Sequence, residues 1–152
     1  MRERERIREQ LELAWAGPAW HGPSVSEVLA GVDAASAAAR PLGGRHSIWE
    51  IVLHLTTWME TARQLAAGGR REPGPEEDWP PVGAMDAAAW RKALDRLETA
   101  HRALLDLLAT LDEQQLDAPA GGKGYSVGFL LHGVVQHDAY HAGQIALLRP
   151  RS

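Results

Sequence analysis

Apolar positions in this chain recur at intervals of three and four, the spacing that places side chains on one face of an α-helix. Ile7, Leu11 and Trp15 share such a face. They predict a first helix from about Glu3 to Ala16, stopped by Gly17-Pro18. Ser24-Val25-Ser26-Glu27 reads as a capping box, serine accepting from a free amide while glutamate reaches back, and opens a short helix through Leu29. Asp33–Arg40 can form another turn or two before Pro41. A second capping box, Ser47-Ile48-Trp49-Glu50, opens a long helix that ends near Gly68-Gly69. Asp86 caps a third long helix running to about Leu111, and Asp112–Leu116 forms one extra turn. Ser126 then caps a final helix that reaches Leu148 before Pro150.

Apolar/polar alternation persists nowhere, and Ala and Leu dominate, so strands are not expected. Residues 70–83 hold Pro73, Pro75, Pro80 and Pro81 with two glycines. They read as a surface crossover loop, because neither half of the chain has a core without the other. Four substantial helices, a long crossover and short extra helices predict an all-α four-helix bundle. The chain of 152 residues fits one domain, residues 1–152, of roughly 150 residues.

Composition narrows the function. The chain is 45% hydrophobic and 24% charged, in the ordinary soluble globular range. Its 16 Lys+Arg stand against 20 Asp+Glu, giving a net charge of −4. That balance argues against a nucleic-acid partner, which needs a concentrated positive surface. There is no cysteine, which excludes disulfides, thiolate metal sites and a protein thiol nucleophile. No apolar run approaches the roughly 20 residues of a membrane span, and Met1–Gln10 is a charged stretch unlike a signal peptide. A cytoplasmic location and no membrane partner are therefore expected. The run Arg2-Glu3-Arg4-Glu5-Arg6 reads as a solvated helical face.

The informative polar residues are the seven histidines. On a helical wheel of about 100° per residue, Val127, Leu130, Leu131, Val134, Ile145 and Leu148 form the buried stripe of the last helix. His141 and Asp138 fall inside that arc and His137 just beyond its edge. Ionisable groups on a buried face need partners, since burying one uncompensated costs several kcal/mol. His137 and His141 stand one turn apart, close enough for two imidazoles to converge on one cation. The same pair also occurs on many helices for packing alone. His54 lies at the edge of the apolar face of the second long helix, beside Trp58, where it can equally donate to a backbone carbonyl. Three neutral nitrogens from two helices would leave coordination positions open for water or substrate, as catalytic metal sites do.

The remaining candidates are weaker. His101 lies in the apolar stripe of the third long helix and reads as a buried core histidine ahead of a fourth ligand. His132 points away from the buried stripe, and His46 precedes a cap; both read as surface residues. His21, in Trp20-His21-Gly22-Pro23-Ser24, sits in a rigid turn, structural or folded over a pocket mouth. His137-Asp138-Ala139-Tyr140-His141 can be compared with the zinc-protease pattern, in which glutamate follows the first histidine. Asp138 is one methylene shorter, so orienting a ligand or pairing with a neighbouring helix fits it better than acting as base. Gln144, next to His137 on the wheel, is a candidate to hold a ligand histidine. Gly121-Gly122-Lys123-Gly124 lacks the strand and spacing of a phosphate loop, and no serine elbow is present.

His46-Ser47-Ile48-Trp49-Glu50-Ile51-Val52-Leu53-His54-Leu55 with Trp58, followed by Gln136-His137-Asp138-Ala139-Tyr140-His141-Ala142-Gly143-Gln144-Ile145, resembles the DinB-like (damage-inducible, YfiT-like) family. The likeness extends over nearly the whole chain and includes the Trp20–Ser24 turn of one branch; its ending, Tyr140–Ile145, is the most specific part. The resemblance implies a four-helix bundle holding one divalent cation, nickel or zinc, through His54, His137 and His141. It also implies a homodimer, and Phe129, Tyr140 and Leu147 form an outward strip that fits either a partner or the first helix. Better-studied relatives look like transferases joining low-molecular-weight thiols, such as bacillithiol or mycothiol, to electrophiles.

Three functions follow as expectations. The first is a metal-dependent thiol S-transferase of stress response or detoxification, whose small-molecule cosubstrate supplies the nucleophile that a cysteine-free chain lacks. The second is a metal-dependent hydrolase in which Asp138 or His101 moves the proton. The third is a metal-binding stress protein without turnover.

Overall fold

A computed structural model describes residues 1–151. Its elements in chain order are α1 (Glu3–Ala16), α2 (Val25–Leu29), α3 (Ala34–Ala38), α4 (Ile48–Ala66), α5 (Pro75–Asp78), α6 (Ala87–Thr110), α7 (Glu113–Asp117) and α8 (Val127–Leu148). No strand is present among the described residues, and none of the helices there is long and apolar enough to cross a membrane. The expected all-α bundle is observed. The four long helices form a ring in which α4 packs on α6 and α8, and α1 closes it by packing on both α8 and α6.

The helix starts follow the capping chemistry legible in the chain. Ser24, Ser47, Asp33, Asp86, Asp112 and Ser126 each accept a hydrogen bond from the amide three residues on. The amides left free by a first helical turn are thereby satisfied. At the other end of α4, Gly68 takes φ 85°. Gly121, at φ 53°, passes so close to Gly69 that a Cβ there would collide with the Gly69 carbonyl oxygen and the Leu65 side chain. Glycine is needed at Gly121 both for the left-handed backbone and for this approach.

Inside the ring, Ile7 and Leu11 of α1 meet Leu55 and Met59 of α4, Leu97 and Leu104 of α6, and Leu131 and Ile145 of α8, all fully buried. Each such side chain contributes about 1.5–3 kcal/mol by leaving water. α2 packs on α8 and α1, and α3 on α4 and α6. The Trp90 indole N–H donates to the Val32 carbonyl at 2.7 Å, so α6 is tied to the α2–α3 connection.

Two surface expectations are corrected. The charge run at the start of α1 is not merely solvated: Arg4 reaches across to the Leu111 carbonyl at 2.8 Å, capping the end of α6. Glu3 pairs with His132 at 2.6 Å, so that histidine ties α8 to α1 instead of standing free. The stretch 70–83 is not featureless either, since it contains α5, which packs on α4.

Candidate metal centre

Three imidazole rings converge between α4 and α8. The Nε2 atom of His137 lies 3.0 Å from Nε2 of His54 and 3.1 Å from Nε2 of His141. One ligand atom from each histidine falls within a set spanning no more than 4.8 Å. His54 and His141 are buried and His137 is half-buried. The convergence follows from helix geometry: His137 and His141 occupy successive turns of α8, and His54 faces them from α4.

The outer nitrogens of two rings are committed. His54 Nδ1 lies 2.7 Å from the Asp78 backbone carbonyl and 3.1 Å from its carboxylate. Oxygen acceptors on that side require the proton on Nδ1, which leaves Nε2 with a lone pair. His141 Nδ1 lies 2.6 Å from Gln144 Oε1, with the same consequence for its Nε2. His137 Nε2 stands between these two lone pairs and can donate a proton to one of them only. At least one facing pair of nitrogens near 3 Å is therefore left without a proton between them. A cation resolves this arrangement: donors on a tetrahedral zinc at about 2.0–2.1 Å stand about 3.3 Å apart. The donor set fits a divalent ion, with both outer rings oriented by hydrogen bonds as metal-bound histidines are.

Burial favours the neutral, ligating form. It pushes His137 down to about 3, helped by the proximity of His141 and His54. It pushes His141 down to about 4 against the opposing bond from Gln144. His54 is lowered too, mainly by burial, with Asp78 opposing.

Asp78 and Trp79, at the end of α5, complete the surroundings. Asp78 Oδ1 also accepts the Trp58 indole N–H at 2.6 Å, so one carboxylate holds both a histidine and the tryptophan beside it. The Trp79 ring is sandwiched between His54 (centroids 3.9 Å, planes 7° apart) and His46 (3.6 Å, 3°). His46, expected as a plain surface residue, is thus part of the wall. A cavity of about 480 Å³ opens beside His54 and His137, and a second of about 410 Å³ beside His141, His46 and Trp79.

The other candidates lie elsewhere. His101 is outside the cluster, stacked on Trp15 at 4.5 Å, with its Nδ1 buried and unpartnered. Asp138 is fully buried; neither carboxylate oxygen has a partner, and burial pushes its carboxyl up to about 8. It lines neither cavity and makes no hydrogen bond to a ligand histidine or a neighbouring helix, contrary to expectation. Gln144 holds His141, not His137. His21 is exposed in its turn and lines neither cavity.

Asp78 and Trp79 were not singled out from the sequence. Pro75 followed by three acidic residues is a helix-start signal that would have revealed α5. Nothing local announces that its end folds onto His54, 24 residues away.

The model of the DinB superfamily matches residues 20–145, most of the chain and all three histidines. Comparison with curated proteins and with solved structures gives no match in either set.

Proposed function

The chain belongs to the DinB superfamily, and from that premise we propose that it binds one divalent ion, zinc or nickel, through His54, His137 and His141 and acts as a thiol S-transferase. The observation that carries this reading is a three-nitrogen cluster opening onto a cavity in a chain with no cysteine. Three protein donors leave room for an exogenous ligand, and the nucleophile has to come from outside. When bound, the ion supplies a Lewis acid that makes thiolate available at neutral pH.

The chain's own residues prepare the site. Asp78 and Gln144 fix the outer rings so that their Nε2 lone pairs face inward. Trp79 covers one face of His54 and limits water there. Trp58, held by Asp78, gives the neighbouring cavity a rigid aromatic wall. The hydrolase reading loses support, because Asp138 and His101, its candidate proton carriers, line neither cavity. The exposed strip of Phe129, Tyr140 and Leu147 supports a homodimer as the working form.

The test is to incubate metal-loaded protein with an alkylating electrophile and a panel of bacterial thiols, following conjugates by mass spectrometry. Conjugation that depends on both the ion and His137 is expected. Ester or amide cleavage with no thiol present would replace this reading with the hydrolase. Inertness in both assays with the ion retained would leave a metal-binding protein without turnover.

A further inference from the structure

Glycine inside a helix normally costs about 0.5–1 kcal/mol relative to alanine, yet Gly133 sits inside α8, two turns from its start, in ordinary helical conformation. It is one turn before His137, so its missing side chain lies above that ring on the same face. A Cβ built at Gly133 meets nothing within 4 Å. No packing demand therefore explains the glycine. What the absent side chain leaves is space: Gly133 lines the cavity of about 480 Å³ that opens beside His54 and His137.

The walls of that cavity say what fits it. Trp58, Tyr125 and Phe129 contribute aromatic surface, and Ala62, Leu130 and Val134 aliphatic surface. The Trp58 ring is fixed by its bond to Asp78, and Tyr125 and Phe129 pack together with centroids 5.5 Å apart. The described residues lining it include no lysine or arginine, and its one carboxyl group is that of Asp78. Away from the histidine cluster, an anionic group would meet no side-chain counter-ion along these walls. A cavity near 150 Å³ already holds benzene, so this space accommodates a larger, two-ring body.

We propose that this cavity is the binding site for the uncharged, aromatic or otherwise apolar body of the substrate, and that Gly133 determines its size limit. The inference rests on the reading of the histidine cluster as the reactive centre, since two of its members, His54 and His137, line the cavity. On the transferase reading, this is the side from which the electrophile enters. A side chain longer than a methyl group at Gly133 would project into the space above His137 and shorten the pocket.

The experiment uses zinc-loaded, nitrogen-15-labelled full chain, with indole as a neutral two-ring probe and naphthalene-2-sulfonate as an anionic one of similar size. Indole should shift the Gly133 amide and Trp58 indole signals saturably, and the sulfonate, compared with indole on the same chain without zinc so that no bound cation attracts it, should bind at least tenfold more weakly. Gly133→Leu should weaken indole at least tenfold while zinc content, measured on the same samples, stays at the wild-type level. Gly133→Ala, which leaves most of the space, should keep indole binding and melt at a higher temperature than wild type. No saturable shift in wild type, unchanged affinity in Gly133→Leu, or a sulfonate that binds the zinc-free chain as tightly as indole would each overturn the proposal. Indole binding without zinc uptake would sink the metal reading and leave the pocket standing; zinc uptake without indole binding would do the reverse.

Discussion

The indole of Trp79 lies flat on the imidazole of His54, with centroids 3.9 Å apart and planes 7° from parallel. His46 stacks on the opposite face of the same indole. The crossover segment is thereby fastened to the site through an aromatic stack, while Asp78, one residue earlier, bonds the edge of the His54 ring. Two adjacent residues of α5 and its end thus control both the orientation and the covering of one histidine.

Trp79→Ala should loosen that cover without removing a nitrogen donor. Stacked aromatic pairs contribute about 0.5–1.5 kcal/mol beyond their buried area, so a fall of about 1–3 kcal/mol in unfolding free energy is expected. Zinc transfer to a colorimetric chelator should be at least about tenfold faster, because water gains access to the His54 side. Chelator kinetics unchanged from wild type would show that the stack does not guard the site.

The hydrogen bonds to the outer nitrogens give a separate expectation. Gln144→Ala removes the acceptor that keeps the proton on His141 Nδ1. Loss of such a partner typically weakens metal binding about 10–100-fold. Gln144→Glu keeps an acceptor within reach and should retain most of the affinity. Competition titrations with a chelator of known affinity would measure both variants, and equal affinities for Gln144→Ala and wild type would contradict the role assigned to this bond.

His101 makes stability depend on pH. Burial, aided by the neighbouring Arg102 charge, lowers its pKa to about 4 from an ordinary 6.5. In the fold it stays neutral where the unfolded chain already takes up a proton. Its contribution is complete above about pH 6.5, falls as pH drops toward 4, and is gone below that. Between pH 7 and 4.5 this one group should cost about 2 kcal/mol. Urea unfolding of wild type and His101→Gln at both pH values isolates it, because the other titrating groups are common to the two proteins. A variant that loses as much stability as wild type on acidification would rule this out.

Most of the scaffold could be read in advance because its signals are local. A serine or aspartate cap followed by apolar residues at three and four marks a helix start wherever it occurs, as at Ser47 and Ser126. The same periodicity put His141 on an inward face and His54 and His137 at or just beyond the edges of such faces. What it could not show is reach. Asp78 and Trp79 lie outside any apolar stripe, and their contact with His54 depends on how the 67–86 connection folds back over α4. Gln144 neighbours His137 on a wheel, but lies three residues after His141, where its short side chain meets the nearer ring. Asp138 was placed correctly on the buried face, and its expected partner is missing because its carboxylate finds no donor within hydrogen-bonding distance.

Two tryptophans separate burial from mere presence. The Trp90 side chain is 4% exposed, packs on Trp49 at 5.1 Å and donates to the Val32 carbonyl. Trp90→Phe keeps an aromatic ring but leaves that carbonyl without its donor in a dry environment, which costs about 1–3 kcal/mol. The smaller ring also leaves unfilled volume against Trp49, adding to the loss. Trp20, by contrast, is fully exposed, so Trp20→Ala should change stability by no more than about 0.5 kcal/mol. Urea denaturation of the two variants side by side checks both: a Trp90→Phe protein as stable as Trp20→Ala would mean that the bond to Val32 does not anchor α6 to the α2–α3 connection.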